Sequence, residues 1–398
     1  MSGCEFDVVA AGHLCLDMIP RFETDIATGR IADVLRPGAL VNMGGMTFST
    51  GGSVSNVGIA MKIFGCRVAF VAKVGDDPLG RIIIDFMRRS GSAEGIKISA
   101  EAASSYTVIL ALPGIDRIFL HCPGANDAFG SSDLNLEVVG RSRLFHFGYP
   151  TLMRSMFADG GEELARILQA AKAEGVTTSL DTSLPDPGSP AGRADWPGIY
   201  RKVLPHTDIF LPSIEEILFT LHPEEYLRRK SEAGGQELID RLQPEEYTRL
   251  AGEMLALGCR VAAIKAGHRG WYVKTADPRR LEGMGRAAPR NPEAWAEREL
   301  WCPAFQVDRI ASATGSGDSS IAGFLTALLR GHPLERCLRL ANGAGALNLR
   351  ALDSLSGLVG WEELEAAVEE MPVRDNAFLQ EPWRWNPELK LWEKRRST

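Results

Sequence analysis

Short apolar runs that stop on a glycine or an acid alternate along this chain with stretches of helical character. No other feature constrains the fold as much. Phe6–Ala11 ends at Gly12, Val68–Val74 at Gly75-Asp76-Asp77, and Val176–Leu180 at Asp181. Ile209–Leu211 is followed by Ser213, which opens a helix through Phe219, and Leu144–Phe147 and Val261–Lys265 are runs of the same kind. Helices read from Val57 to Phe64, from Pro78 through Met87 and from Glu162 to Ala173, with stops at Gly65 and Gly175 and a proline opening the second. Strands that alternate with helices predict a mostly parallel sheet covered on both faces, because each parallel step needs a crossover. The mixed, glycine-rich segment Gly38–Phe48 predicts an edge or lid strand. Tyr106–Leu112 and Arg117–Cys122, joined by Pro113-Gly114-Ile115-Asp116, predict a hairpin in the same small extra sheet.

Composition narrows the class. The 398 residues suffice for one large α/β domain with an appendage. A net charge of −7 and a pI near 5.7 argue against a nucleic-acid or membrane-surface binder, so an anionic substrate needs local help from N–H groups, metal or a few basic residues. The seven cysteines are scattered, with no C-x-x-C pair, which suits buried thiols in a reducing cytosol rather than a disulfide framework or a zinc site. Neither a signal peptide nor a bilayer-length apolar segment is evident, so the expectation is a soluble, cytoplasmic protein without membrane or nucleic-acid partners. Pro223–Glu246, charged and without a clear core stripe, and Ala276–Glu299, rich in Arg, Pro and Glu, read as surface insertions. Trp383, Trp385 and Trp392 read as clamping the tail, 376–398, onto a domain spanning 1–375.

Chemistry-bearing residues fall just after the expected strands, where ligands gather in parallel α/β sheets. They are Asp17, the Gly51-Gly52-Ser53-Val54-Ser55-Asn56 turn, Asp77, Asp181, Ser213 with Glu216, and Gly267 with Gly270. The most telling stretch is Ala311-Ser312-Ala313-Thr314-Gly315-Ser316-Gly317-Asp318, which opens into the apolar run Ser319–Leu329. A loop of small residues lets successive backbone N–H groups converge on an anion, and the positive end of a helix adds to that field. Asp318 alone reads more readily as a helix cap than as a functional acid. Asp17 could cap a loop, Asn56 its own helix, and Asp76 and Asp77 could be turn residues.

Two signatures together resemble the PfkB, or ribokinase-like, family of carbohydrate and nucleoside kinases. The first is Gly51-Gly52-x-x-x-Asn56 with a helix ending Phe64-Gly65; the second is Thr314-Gly315-Ser316-Gly317-Asp318 with Ala322-Gly323-Phe324. Val74-Gly75-Asp76-Asp77-x-x-Gly80 and Gly124-Ala125-Asn126 fit the same order, so the likeness covers about residues 5–370. It implies a three-layer α/β/α fold with a β-sheet lid made from about 12–50 and 104–125. It also implies Asp318 as the base that takes the proton of an acceptor hydroxyl, with the Gly315, Ser316 and Gly317 backbone holding the developing charge. By the same resemblance Asp17, Gly51, Gly52, Asn56 and Asp77 would grip the acceptor. Ser213, Lys265, Gly267, Gly270, Thr314 and Asn342 would border ATP, and Glu216 would stand near Mg²⁺. Arg117 on the lid and Asp181 are further acceptor candidates, and the resemblance allows a homodimer through the lid.

Three departures stand out. Ser312 replaces an aspartate that the family ties to a monovalent cation, which weakens any case for potassium. Ser213 replaces an asparagine near the metal, and Ser316 replaces an alanine. A sugar or sugar derivative is the expected acceptor, with a nucleoside kinase or a non-catalytic sugar sensor of the same fold as alternatives. A nicotinamide dehydrogenase fits poorly, since Gly-x-Gly does not follow the first strand.

Overall fold

A computed structural model describes residues 3–22, 34–112 and 117–395; the turn expected at Pro113–Asp116 and part of the first lid segment lie outside these. In chain order the strands are β1 (Val8–Gly12), β2 (Cys15–Pro20), β3 (Met46–Gly51), β4 (Val68–Gly75) and β5 (Ser92–Ser99). Then come β6 (Tyr106–Leu110), β7 (Ile118–Cys122), β8 (Leu144–Gly148), β9 (Thr177–Leu180) and β10 (Ile209–Phe210). The last five are β11 (Val261–Lys265), β12 (Trp271–Thr275), β13 (Glu299–Cys302), β14 (Trp383–Asn386) and β15 (Leu391–Lys394).

Eleven strands form one sheet in the order β14-β15-β13-β12-β11-β10-β9-β8-β1-β4-β5. Pairing is parallel from β5 to β11 and antiparallel from β11 to β14. The parallel strands are apolar without alternation because both faces are covered, and their side chains sort by the period of two. In β1, Val8 and Ala10 enter one core with Phe70, Val57 and Phe324, while Val9 and Ala11 enter the other with Phe145, Phe147 and Ile167. Each fully buried Val, Ile or Phe here is worth about 1.5–3 kcal/mol, which makes this double core the main source of stability. The second sheet, β3-β2-β6-β7, is the lid.

Several elements differ from their sequence-based placement. The first helix begins at Ser53, and Gly51 belongs to β3, which runs 46–51 rather than within 38–48. β5 lacks an apolar run because it is a sheet edge, with only Gly95 buried. Within Pro223–Glu246, Tyr226, Ala233, Leu238, Ile239 and Leu242 supply the core contacts that the sequence does not reveal. Ala276–Glu299 likewise buries Leu281, Met284, Ala287 and Trp295. Its arginines look solvent-bound in sequence but donate to backbone carbonyls: Arg280 to Leu255, Gly258 and Cys259, and Arg286 to Gly140 and Ser142. The tail continues the main sheet, with Leu300 opposite Glu393 and Trp301 opposite Trp392, and Trp383 packs edge-on against Trp301.

Candidate functional site

The carboxyl ends of β1, β8, β9, β10 and β11 place His13, Tyr149, Asp181, Ser213 and Lys265 along one edge of the sheet. The helix Ser316–Arg330 points its N-terminus at this edge, and Gly315 at its start holds φ 76°. A Cβ on Gly315 would stand 2.4 Å from Ser354 Cβ, so both conformation and space demand glycine there. At Gly317 a Cβ would meet nothing closer than Lys265 Cδ at 3.8 Å. That glycine leaves open space above the first helical turn, where N–H groups lack intrahelical partners. The N–H of Ser316 donates to Ala313 O at 3.2 Å, so this amide already has a partner within the loop. The carbonyl of Thr314 is fixed by Asn348 Nδ2 at 2.9 Å.

Asp318, in the first turn of that helix, is 4% exposed. Its Oδ2 accepts from Asn56 Nδ2 at 2.9 Å and from the Tyr149 hydroxyl at 2.8 Å, and its Oδ1 accepts from the same hydroxyl at 2.7 Å. Burial pushes its pKa up, against the pull of Tyr149, Asn56 and the Lys265 charge. Lys265 Nζ bonds Asp181 Oδ1 at 2.6 Å. Burial alone would lower the lysine, but Asp181, Glu216 and Asp318 raise it, so it stays an ammonium. Burial is also the first cause that raises Asp181 and Glu216. Three carboxyl groups thus share one ammonium, and burial favours the protonated form of each of them. Ser213 caps the helix Ile214–Leu221 reciprocally with Glu216: Ser213 N donates to Glu216 Oε2 at 2.6 Å and Glu216 N to Ser213 Oγ at 3.3 Å. Among the described residues no group of three or more His, Cys, Asp or Glu is arranged to hold a metal ion.

A cleft of about 330 Å³ opens on one side of this cluster. Lys265, Ser316 and Gly317 form its inner end, Gly267, Gly270 and Asn342 its wall, and Phe305, Val307, Ile310 and Leu349 an apolar lining. Gly270 holds φ 95° with a virtual Cβ 2.0 Å from Cys302 O, which forces the tight turn between β11 and β12. Asn342 Nδ2 donates to Cys302 O and Pro303 O, tying the cleft wall to β13.

The lid covers the other side. Asp17 lies within β2, not in a loop after β1, and pairs across the lid with Ser49 and Thr107. Burial lifts its carboxyl to about 6, although hydrogen bonds from Cys15 and Thr107 pull the other way. A Cβ on Gly51 would lie 2.3 Å from Asp17 Oδ2, and one on Gly52, at φ 86°, would lie 2.5 Å from His13 O. These glycines let the β3–helix corner approach both residues closely. Asp77, expected at the acceptor, is instead a structural cap: its carboxylate accepts from Gly80 N at 2.7 Å, Ser104 N at 2.7 Å and Ser104 Oγ at 2.8 Å. Arg117 reaches from the lid to the glycine loop, with Nη1 donating to Thr314 Oγ1 at 2.9 Å and Nη2 to Leu352 O at 2.6 Å. Three residues absent from the sequence-based candidates stand on this side of Asp318: Tyr149, His13 and His121. The two histidines meet at 3.4 Å between Nε2 atoms, and His121 Nδ1 bonds Thr107 Oγ1 at 3.0 Å. Tyr149, in Gly148-Tyr149-Pro150, sits just past a strand as Asp181 does, and that position was its signal.

The profile of the pfkB family carbohydrate kinases matches residues 8–357. An uncharacterized sugar kinase from Archaeoglobus fulgidus is 25% identical over 294 residues, which cover 74% of this chain and 96% of that one. Probable fructokinase-4 from Arabidopsis thaliana is 23% identical over 374 residues, covering 91% and 96%. The Arabidopsis thaliana ribokinase structure complexed with ribose and ATP superposes with a TM-score of 0.67 at 16% identity, covering 92% of this chain and 99% of that one. A Xylella fastidiosa fructokinase structure with bound ATP gives 0.65 at 17% identity, covering 92% and 98%. These structures share the fold, a large mostly parallel sheet with a separate small one. Fold, site edge and profile agree, and the chain belongs to the pfkB family of carbohydrate kinases.

Proposed function

We propose that this sugar kinase transfers the γ-phosphoryl group of ATP to a hydroxyl of a sugar or sugar derivative, with Asp318 as general base. One observation supports this above the others. Asp318 is a buried carboxylate at a helix N-terminus, with an open cleft that ends at Lys265, Ser316 and Gly317 on one side and the lid, tied to the glycine loop by Arg117, on the other. The apolar lining suits a purine, and Lys265 with the N–H groups around Gly317 suits the phosphates. Oδ2 of Asp318 already accepts two bonds and Oδ1 one, so Oδ1 has the capacity to take a proton. As the acceptor oxygen bonds the γ-phosphorus, its proton passes to Oδ1, the bond from phosphorus to the bridging oxygen breaks, and ADP leaves.

On the acceptor side Asp17 can accept from sugar hydroxyls. Asn56 Oδ1, buried without a partner, is a second acceptor facing this region. Asp181 is committed to Lys265, which lines the cleft. The acids clustered about Lys265 would suit Mg²⁺ carried by the phosphates, and Glu216 is the residue that would stand near it. When bound, Mg²⁺ would neutralise charge on the phosphate oxygens.

The lid exposes Met46, Phe48, Phe119 and Leu120, which supports pairing of two lids in a homodimer. The seven free cysteines support a cytoplasmic setting. No helix among the described residues is long and apolar enough to cross a membrane.

The test is ADP release from Mg-ATP against a panel of ketoses, aldoses, sugar acids, polyols and nucleosides. Release with a sugar is expected. Release with nucleosides alone would make the chain a nucleoside kinase. Sugar binding with no ADP release would make it a sensor.

A further inference from the structure

Tyr149 contributes nothing to either signature, yet it makes two of the three side-chain hydrogen bonds to Asp318. Its backbone is left-handed, at φ 61° and ψ 45°, between Gly148 and Pro150. A residue with a Cβ seldom adopts that conformation, and where it does the surroundings impose it, often next to a functional site. Here the turn lifts the ring off the end of β8 and aims its hydroxyl at the carboxylate. Two features hold that aim. A Cβ on Gly148 would fall 1.8 Å from Ser53 Oγ, so the strand end is pinned against the first helix, and the His13 ring lies beside Tyr149 at 6.3 Å between centroids.

We propose that Tyr149 is a positioning residue for Asp318: its hydroxyl spans both carboxylate oxygens, fixes the plane of the carboxylate and leaves Oδ1 turned toward the acceptor. The inference rests on the reading of Asp318 as the base, but the hydrogen bonds it concerns exist in either case. A hydrogen bond donated to a carboxylate favours the ionised form. The groups that face Asp318 are Tyr149 from the end of β8, Asn56 from the helix Ser53–Ile63, Lys265 from β11, Asp181 after β9 and Glu216 on the helix Ile214–Leu221. Tyr149 and Asn56 donate, Lys265 attracts, and the two other carboxylates repel. Burial opposes ionisation, so loss of one donor moves the balance toward the protonated acid, which cannot serve as a base.

The experiment uses the full-length protein and Tyr149→Phe, which keeps the ring and deletes only the hydroxyl. Protein labelled with carboxyl-¹³C aspartate, with Asp318→Asn to assign the signal, is titrated by NMR in wild type and variant. The Asp318 carboxyl is expected to titrate at higher pH in Tyr149→Phe. That readout needs no substrate, so it stands even if the kinase reading fails. Where an accepted sugar is found, kcat is expected to fall at least tenfold with KM for sugar and ATP changed less than threefold. The acidic limb of kcat should move to higher pH, and Tyr149→His, which restores a donor, should recover part of the loss. An unmoved Asp318 titration overturns the proposal. So does a rise in kcat, which would make Tyr149 a plug on the base, and so does a loss of kcat with an unmoved acidic limb, which would make the hydroxyl merely structural. A melting curve within a few degrees of wild type establishes that the variant is folded. If Tyr149→Phe does not fold, the same titration on Asn56→Ala decides: an unmoved Asp318 there shows that donors do not set this carboxylate, and the proposal falls.

Discussion

The two halves of the site are built by different means. The cleft side is made of backbone: glycines at 267, 270, 315 and 317, a helix N-terminus and an apolar lining, with Lys265 as the inner charge. The lid side is made of side chains from distant segments: Asp17, His13, His121, Tyr149 and Arg117. Backbone recognition suits phosphates, which are the same for every phosphoryl donor of this kind, and leaves little to vary. Side-chain recognition suits the acceptor, whose shape must be read and sealed from water. On the proposed reading, the cleft side would hold the phosphoryl donor and the lid side would read the acceptor.

Gly317→Ala should break the cleft side hardest. Its added methyl has room in the protein, so melting should be unchanged, yet it occupies the space above the N–H groups; kcat/KM should fall about 100-fold, on the scale of losing an anion-hole donor. Gly315→Ala should instead destabilise the fold by about 1–3 kcal/mol, because both φ 76° and Ser354 oppose a Cβ. Equal behaviour of the two variants in melting and kinetics would contradict the assignment of separate roles.

Arg117→Ala should act on the lid side. It removes the donors to Thr314 Oγ1 and Leu352 O that tie lid to loop. KM for the acceptor should rise about tenfold with a smaller change for ATP, on the scale of roughly 1.4 kcal/mol for one charged donor to neutral acceptors. A larger change for ATP would move Arg117 to the cleft.

A pH series sharpens the comparison with the smallest effect. Asp17 titrates near 6 because burial raises it, so it is ionised above that pH and protonated below. A carboxylate accepts from sugar hydroxyls with both oxygens, and the acid does so less well. KM for the acceptor should therefore fall severalfold as pH rises from 5 to 7, while KM for ATP changes little over the same range. Asp17→Asn should flatten the trend. A parallel change in both constants would show that Asp17 does not read the acceptor.

What the sequence reveals about this molecule follows the same division. Strand ends and glycine loops are local, so Gly267, Gly270, Gly315, Gly317 and Asp318 are legible from neighbours a few residues away. The contacts of the lid side span long separations, 108 residues between His13 and His121 and 169 between Tyr149 and Asp318, and no local pattern announces them. Asp77 is ambiguous in the sequence for the opposite reason. Its motif resembles a ligand-binding turn, but Ser104, brought beside it by the fold, takes up the carboxylate. The segment 276–299 reads as peripheral because it is rich in arginine, yet the fold turns Arg280 and Arg286 onto backbone carbonyls.

The central claim is that Asp318 takes the acceptor proton, and Asp318→Asn tests it most directly. Asparagine keeps the shape and the contacts to Tyr149 and Asn56 within reach but cannot accept a proton at neutral pH. With a sugar that supports ADP release in the wild type, kcat should fall about 10²–10⁴-fold while calorimetric binding of that sugar and of ATP persists. A variant that binds both and still turns over near the wild-type rate would contradict the account.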